Sequence, residues 1–572
     1  MGFQLSPGIN VSEIDLTTVI PSVSTTAGAI VGDFVWGPAN KRILVDSEIT
    51  LVNRFGKPTN NTAVSFFSAA NFLAYGNNLR VIRSIDGDNS KNATANTEST
   101  GVCIANEDVY ELQYTANTHT EYGAFYARYP GALGNNIRVA TCANTAGFTE
   151  WSVTTSTGST VNLNQFFQTA PGTSTYAASV GGANDEIHIA VIDDTGAISG
   201  AAGTVLETYG HVSKASDAKN DDGSPNYYET VTFNKSKWIY IASHLDSGWG
   251  VSAVATNFGT TTVNANTALT SGTDAMSTQA NTISSWDLFS NADEVDVSLL
   301  ISGGASTFGD YVTVPNYVAS IADTRKDCVA FLSPSIASAV NAPSATAILA
   351  YKASLTVDTS YALMDSGWKY QFDKYNNVYR YIPLNGDIAG LCVYTDNVRD
   401  PWWSPAGLNR GQIKNVVKLS WNPTKTDRDI LYPAGINPVV SFPGEGVVLF
   451  GDKTMQSKPS AFDRINIRRL FIVLEKSIAV AAKYSLFEFN DEFTRAQFIA
   501  LVEPFLRDVK GRRGIYDYRV VCDSTNNTGE VIDGNRFVGD IYIKPARAIN
   551  FIQLNFVAVR TGVEFSEIVG KF

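Results

Sequence analysis

Apolar positions along this chain switch between two spacings, and the switches mark out its elements. Residues 29–32 are an unbroken apolar run, the pattern of a strand buried on both faces, and 43–45 make a second short strand. Between Ala63 and Tyr75 the residues Phe66, Phe67, Ala70 and Leu73 fall at helical spacing, and Gly76-Asn77-Asn78 stops that helix. Residues 79–83 then alternate as a strand. From 89 to 270 the chain turns to Thr, Ser, Asn, Ala and Gly. Short β-like runs there, 187–192 and 238–242, stand between Gly, Asn and Asp turns and predict a mainly β module.

After 270 the longer periods return. A helix is expected over 275–289, a strand over 297–301 ending at Gly303-Gly304, a helix over 311–324, and a strand over 328–332 ending at Pro334. Strands alternating with helices predict layered α/β structure. From 421 onward a helix ends near Leu431, and 460–483 form an amphipathic helix. Ile465, Leu470, Leu474 and Ile478 lie on one side of it, and Arg464 and Arg468 one turn apart on another. A helix over 492–509 has Asn490 as a candidate N-cap and Gly511 as its stop. Strands are expected at 516–522, 537–543 and 549–559. In the last, Ile552, Leu554 and Phe556 alternate with Gln553 and Asn555. At the other end, 1–22 read as an arm bracketed by Pro7 and Pro21. Its β-formers Ile9, Val11, Ile14 and Leu16 make either a strand unable to bury itself or a frayed terminus.

The chain has 572 residues, enough for three to four domains. Only 17% of residues are charged, against about 25% in typical soluble domains. A surface so poor in charge suits one that partners cover. The net charge of -12 argues against nucleic-acid binding, and 89–270 carries much of it, with 7 basic and 16 acidic residues. Five scattered cysteines, never spaced CxxC, suit reduced buried thiols rather than a disulfide framework or a zinc site. No basic stretch followed by an apolar one opens the chain, and no run of about 18 apolar residues occurs, so neither a signal peptide nor a membrane span is expected.

The search for catalytic chemistry is mostly negative. No HExxH, GxSxG or phosphate-binding GxxxxGK[ST] is present; Gly451-Asp452-Lys453-Thr454 has only the ending of the last. All four histidines, His119, His188, His211 and His244, fall in the β module and read as surface or packing residues. The acidic groups Asp193-Asp194, Asp221-Asp222 and Asp293-Glu294-Asp296 read as solvated turns, with glycan hydrolysis or calcium binding the sharper alternative. Arg464, Arg468, Arg469 and Lys476 near one helix, and Lys510, Arg512 and Arg513 after the next, are either a solvated face or a set that grips an acidic protein surface. No catalytic, metal or cofactor residue is assigned.

Leu5-Ser6-Pro7-Gly8-Ile9, Phe34-Val35-Trp36-Gly37-Pro38, Phe55-Gly56-Lys57-Pro58 and the run from Asn71 to Arg83 carry a family likeness. So do Lys369-Tyr370-Gln371-Phe372-Asp373-Lys374-Tyr375-Asn376 and Asp387-Ile388-Ala389-Gly390-Leu391-Cys392. Thr395-Asp396-Asn397-Val398 leads on to Ser404-Pro405-Ala406-Gly407-Leu408-Asn409-Arg410-Gly411-Gln412-Ile413. Phe462-Asp463-Arg464-Ile465-Asn466-Ile467-Arg468-Arg469-Leu470 and Tyr518-Arg519-Val520-Val521-Cys522-Asp523 complete the set. In this order and over most of 1–88 and 271–572, they resemble the contractile tail sheath proteins of T-even-like bacteriophages. Tyr129-Pro130-Gly131-Ala132-Leu133-Gly134-Asn135-Asn136-Ile137 resembles a turn in the family's outer domain. T-even sheaths carry a further protruding domain before that turn, and the short stretch from Asp88 to Tyr129 implies its absence here.

The resemblance implies a non-enzymatic subunit that stacks as hexameric rings into a helical sheath around an inner tail tube. It implies assembly in an extended state in the host cytoplasm, and contraction that drives the tube through the host envelope for genome ejection. Its expected partners are further copies of itself, the tube protein, and the baseplate and tail terminator proteins, with no cofactor, nucleic acid or membrane insertion. The expected fold is α+β and α/β, in several domains: an arm 1–22, a discontinuous middle α/β domain of 23–88 with 271–420, an inserted mainly β outer domain 89–270, and a tube-facing domain 421–572 with a C-terminal arm. Ile9, Val11, Ile14 and Leu16 become candidates for an inter-subunit strand. Arg464, Arg468, Arg469, Lys510, Arg512 and Arg513 become candidates for tube contact. A bacterial type VI or pyocin-like sheath is the nearest alternative, and a tail-associated glycan hydrolase a more distant one.

Overall fold

The computed structural model describes residues 24–114, 119–259, 265–304 and 312–554. The chain divides into two compact units. The larger holds Ser22–Pro401 and Pro405–Ser477; the smaller begins at Ile478 and includes Trp402–Ser404.

A seven-stranded sheet organises the larger unit. Its order is Ile436–Asn437, Ala362–Asp365, Val329–Leu332, Leu299–Ile301, Gly28–Gly32, Leu79–Arg83 and Ile43–Val45. All neighbours run parallel except the last pair. The expected strands at 29–32, 43–45, 79–83, 297–301 and 328–332 are all members. Leu79–Arg83 does not alternate in burial, because a parallel strand inside such a sheet is covered on both faces. Chain segments on either side of 89–270 therefore share one sheet. Ile436–Asn437, from the region expected to begin a separate domain at 421, closes one end of it.

Two helices from distant parts of the chain, Ala63–Leu73 and Asn385–Val398, pack on each other and on these strands. Glycine permits the approach. A Cβ on Gly386 would stand 2.3 Å from the Ser68 carbonyl oxygen, and one on Gly390 would stand 2.4 Å from the Tyr75 ring. One helical turn separates the two glycines, so they make one contact strip.

A polar centre sits where the parallel strands end. The Lys369 ammonium donates to Asp387 at 2.9 Å and to the Lys414 carbonyl, with side chains 0% and 1% exposed. Tyr75 Oη donates to the same carboxylate, and Lys414 N–H donates to Tyr75 Oη. Beside it, Ser333 Oγ donates to Asp365 at 2.5 Å and accepts the Asn385 N–H, while Gly367 N–H donates to the other Asp365 oxygen. Burial pushes the Asp365 carboxyl up to about 8, and Asp387 adds to the effect. The folded protein thus holds a proton that the unfolded chain releases near pH 4, so this group weakens the fold as pH rises from about 4 to 8. Asp365→Asn keeps the shape and removes the proton. The unfolding free energy of the variant relative to the parent should climb by about 1.4 kcal/mol per pH unit across that window. Urea titrations at several pH values would read it, and a pH-independent difference would sink the assignment.

The stretch 89–270 is a four-stranded antiparallel sheet in the order Asn266–Ala268, Ile137–Cys142, Glu186–Asp193 and Val205–Ser213. Two strand pairs and short helices accompany it. Arg83 ties it to the core: its guanidinium donates to the carbonyls of Phe34 and Gly37 at 2.9 Å and of Pro130 at 2.7 Å.

Candidate assembly site

The smaller unit is built on the helix Glu492–Gly511. Its N-cap is Asp491, which accepts the Thr494 N–H at 2.8 Å. Asn490, the expected cap, instead accepts from Arg495 and donates to the Arg536 carbonyl. Thr494, Phe498, Val502, Leu506 and Val509 form the buried stripe, and the helix packs on the strand Ile515–Val521. That strand pairs antiparallel with Asp540–Pro545. The sheet has these two strands alone, so among the described residues each leaves one edge unpaired.

The third strand expected here does not form in its described part. Residues 549–554 have no regular structure, and Ile549, Phe551, Ile552 and Leu554 are exposed, so the expected buried face is missing. Residues 555–559 lie outside the described residues, as do Ile9, Val11, Ile14 and Leu16.

The basic residues divide by environment. Arg469 and Asp396 are 4% and 5% exposed at the side chain, and they meet through two bonds of 2.8 and 2.6 Å. Thr25 Oγ1 donates to the same carboxylate at 2.6 Å. Arg468 is buried between the rings of Tyr361 and Phe462, 4.3 and 4.5 Å from their centroids, and reaches Glu475 at 3.5 Å. Arg464 bonds Tyr432 and Asp452. Lys476 bonds Asp296 at 2.7 Å. The solvated face that helical spacing suggested for these arginines is therefore covered, because other elements supply rings and carboxylates to their side of the helix Ile465–Ala482. In contrast, Lys510 and Arg512 are exposed; Lys510 pairs with Asp517 and lies over the Tyr518 ring, and Arg512 pairs with Asp508. Arg513 lies over the Trp403 ring in a left-handed backbone conformation.

The remaining chemical candidates resolve into structure. Asp193 and Asp194 are buried, not solvated. Asp193 accepts the backbone N–H groups of Gly196, Ile198 and Ser199, and Asp194 pairs with Arg138 at 2.6 Å. His188 is buried on the Phe167 ring, 4.4 Å between centroids. Its Nδ1 accepts the His211 N–H, which leaves Nε2 to donate to the Thr169 carbonyl, and burial lowers its pKa. Asp452 of the partial phosphate-loop motif is engaged by Tyr432 and Arg464. Four of the five cysteines are buried and all are free. Among the described residues no cluster of His, Cys, Asp or Glu could hold a metal ion, and no helix is long and apolar enough to cross a membrane.

Sequence reasoning passed over the hairpin Trp368–Asp373 with Val378–Pro383 and the helix Asn385–Val398 as elements. The signal for the hairpin was its turn: Asp373 accepts the N–H groups of Tyr375 and Asn376, and Asn377 has a φ of 54°.

Three sequence families match this chain. Residues 25–83 match the tail sheath protein Gp18 domain III N-terminal region, 278–455 the phage tail sheath protein central domain, and 457–558 the phage tail sheath C-terminal domain. The tail sheath protein of Vibrio phage KVP40 is 34% identical over 99% of this chain and 100% of its own length. That of Enterobacteria phage T4 is 35% identical over 99% of each chain. A sheath tail protein from Listeria innocua shares the fold at a TM-score of 0.52, with 10% identity over 92% of this chain and 96% of that one.

Proposed function

We propose that this chain, which belongs to the phage tail sheath protein family, polymerises as stacked hexameric rings around an inner tail tube and contracts to drive that tube through the host envelope. It is a structural protein of a phage tail sheath. The observation that carries the polymer is the two-stranded sheet of the smaller unit. Among the described residues it has two strands alone, which are marginally stable, and two open edges, which are a liability in a free subunit. Strands donated by neighbouring copies remove both problems, with backbone hydrogen bonds supplying affinity. Each chain has donors to offer: the arm with Ile9, Val11, Ile14 and Leu16, and the exposed alternation beginning at Ile549.

The division of labour follows. The parts 23–88 and 271–420 act as the middle domain, 89–270 as the outer domain, and 421–572 as the tube-facing domain. Of its basic residues, Lys510, Arg512 and Arg513 are the ones offered to the tube, since Arg468 and Arg469 are spent inside the subunit. The alignment with the T4 protein spans 665 positions, more than the 572 residues here, which supports the loss of a protruding domain. Curated relatives from three phages favour a virion over a bacterial injection apparatus. The reading is tested by negative-stain electron microscopy of the purified chain, alone and with its tube protein. Rings or striated tubes are expected, and a chain that stays monomeric at high concentration would refute it.

A further inference from the structure

Between the helix Ile465–Ala482 and the first turn of Glu492–Gly511, the chain presents Tyr484, Leu486, Phe487, Phe489 and, in that turn, Phe493 at 63 to 104% exposure. Glu488, Asp491 and Glu492 are interleaved with them. Phe487, the most exposed, also has a φ of 70°, a left-handed conformation that a bulky side chain adopts only at a cost. Aromatic rings in water on a strained backbone are the mark of a segment shaped for a surface elsewhere.

The larger unit has a surface that fits. A groove of about 460 Å³ lies beside the helix Ala63–Leu73 and the strand Trp368–Asp373, floored by Phe67, Ala70 and Leu73 and walled by Phe372, Val416 and Val417. Phe372 and Val417 are themselves exposed. Lys374 stands on the rim, where it pairs with Glu48 at 3.0 Å, and Lys414 and Lys418 flank the wall residues Asn415–Val417. The ammonium groups of Lys374, Lys414 and Lys418 lie over the rings of Tyr375, Tyr75 and Tyr370. The groove therefore has an apolar floor and a mixed wall in which Asn71, Gln371 and Asn415 also take part, and its lysines outnumber Glu48, the one carboxylate on its lining, while the segment is aromatic with interleaved carboxylates.

We propose that the segment 484–493 of one subunit docks into this groove on a second copy of the chain, its rings on the apolar floor and Glu488, Asp491 and Glu492 against the rim lysines. This contact rests on the polymer reading and adds an interface made by side chains to the one made by exchanged strands. It is tested in the full chain with Phe487→Cys and Val417→Cys together. Four of the five native thiols are buried, so the background is low. Mild oxidation of assembled material should give interchain disulfides in the double variant and none in either single variant. In parallel, Lys374→Glu with Lys418→Glu should raise the concentration needed for assembly about tenfold, and adding Glu488→Lys with Glu492→Lys should restore it. Polymers that form without the crosslink, or a crosslink within one chain, would overturn the docking while leaving the sheath reading intact. A chain that forms neither polymer nor crosslink would overturn both.

Discussion

Arg469→Met should lower the unfolding free energy of the unassembled subunit by about 3–5 kcal/mol, read from urea titration. The size follows from what the substitution leaves behind. Asp396 is 5% exposed at its side chain and takes two charge-assisted bonds from Arg469 and one from Thr25. Without the guanidinium, a buried carboxylate keeps a single hydroxyl donor, and desolvation is no longer offset. Removing both charges, with Arg469→Met and Asp396→Leu, should recover most of the loss, because a well-packed apolar pair can match a buried ion pair. A single-variant cost below about 1 kcal/mol would show that the pair is not needed by the fold. The outcome also separates two readings of this residue, since a tube contact would weaken assembly while leaving the melting of the subunit alone.

Deleting residues 1–22 should have the opposite profile. The truncated chain should unfold at the same urea concentration as the parent and yet form no sheath at concentrations a hundredfold above those the parent needs. The arm is too short and polar to belong to a core, and its proposed work is done in a neighbour's sheet. Electron microscopy across a concentration series checks assembly, and sheaths of normal appearance from the truncated chain would remove strand donation by the arm.

How far the sequence could be read depended on whether local pattern and final environment agreed. Unbroken apolar runs such as Ala29-Ile30-Val31 became fully buried parallel strands, short and rich in β-branched residues as a sheet covered on both faces favours. The helix Ala63–Leu73 was legible from its spacing and stop residues. The helix Asn385–Val398 was not. It is buried nearly all round, so no amphipathic period marks it, and Gly386 and Gly390 lower its propensity for the sake of packing. Arg468 and Arg469 misled for a related reason. Spacing gives the side of a helix on which a residue lies, but not whether Tyr361, Phe462 and Asp396 arrive there from elsewhere. The segment 549–559 showed a fair strand pattern, yet its described part, 549–554, forms no strand. The edges left unpaired among the described residues of the smaller unit had no signal in the chain at all, since an unpaired edge is defined by what is missing beside it.

The pinning of Thr25 has a mechanical consequence. Three residues beyond it the chain enters Gly28–Gly32, which is bonded in parallel register to Leu299–Ile301 on one side and Leu79–Arg83 on the other. Force applied ahead of Thr25 along that strand first meets the Arg469–Asp396 clamp. Past the clamp it loads two ladders in shear, so their hydrogen bonds must give way together instead of opening one by one like a zipper. A pull on the chain ahead of Thr25 is in this way passed to the interior of the central sheet, which resists it as a block.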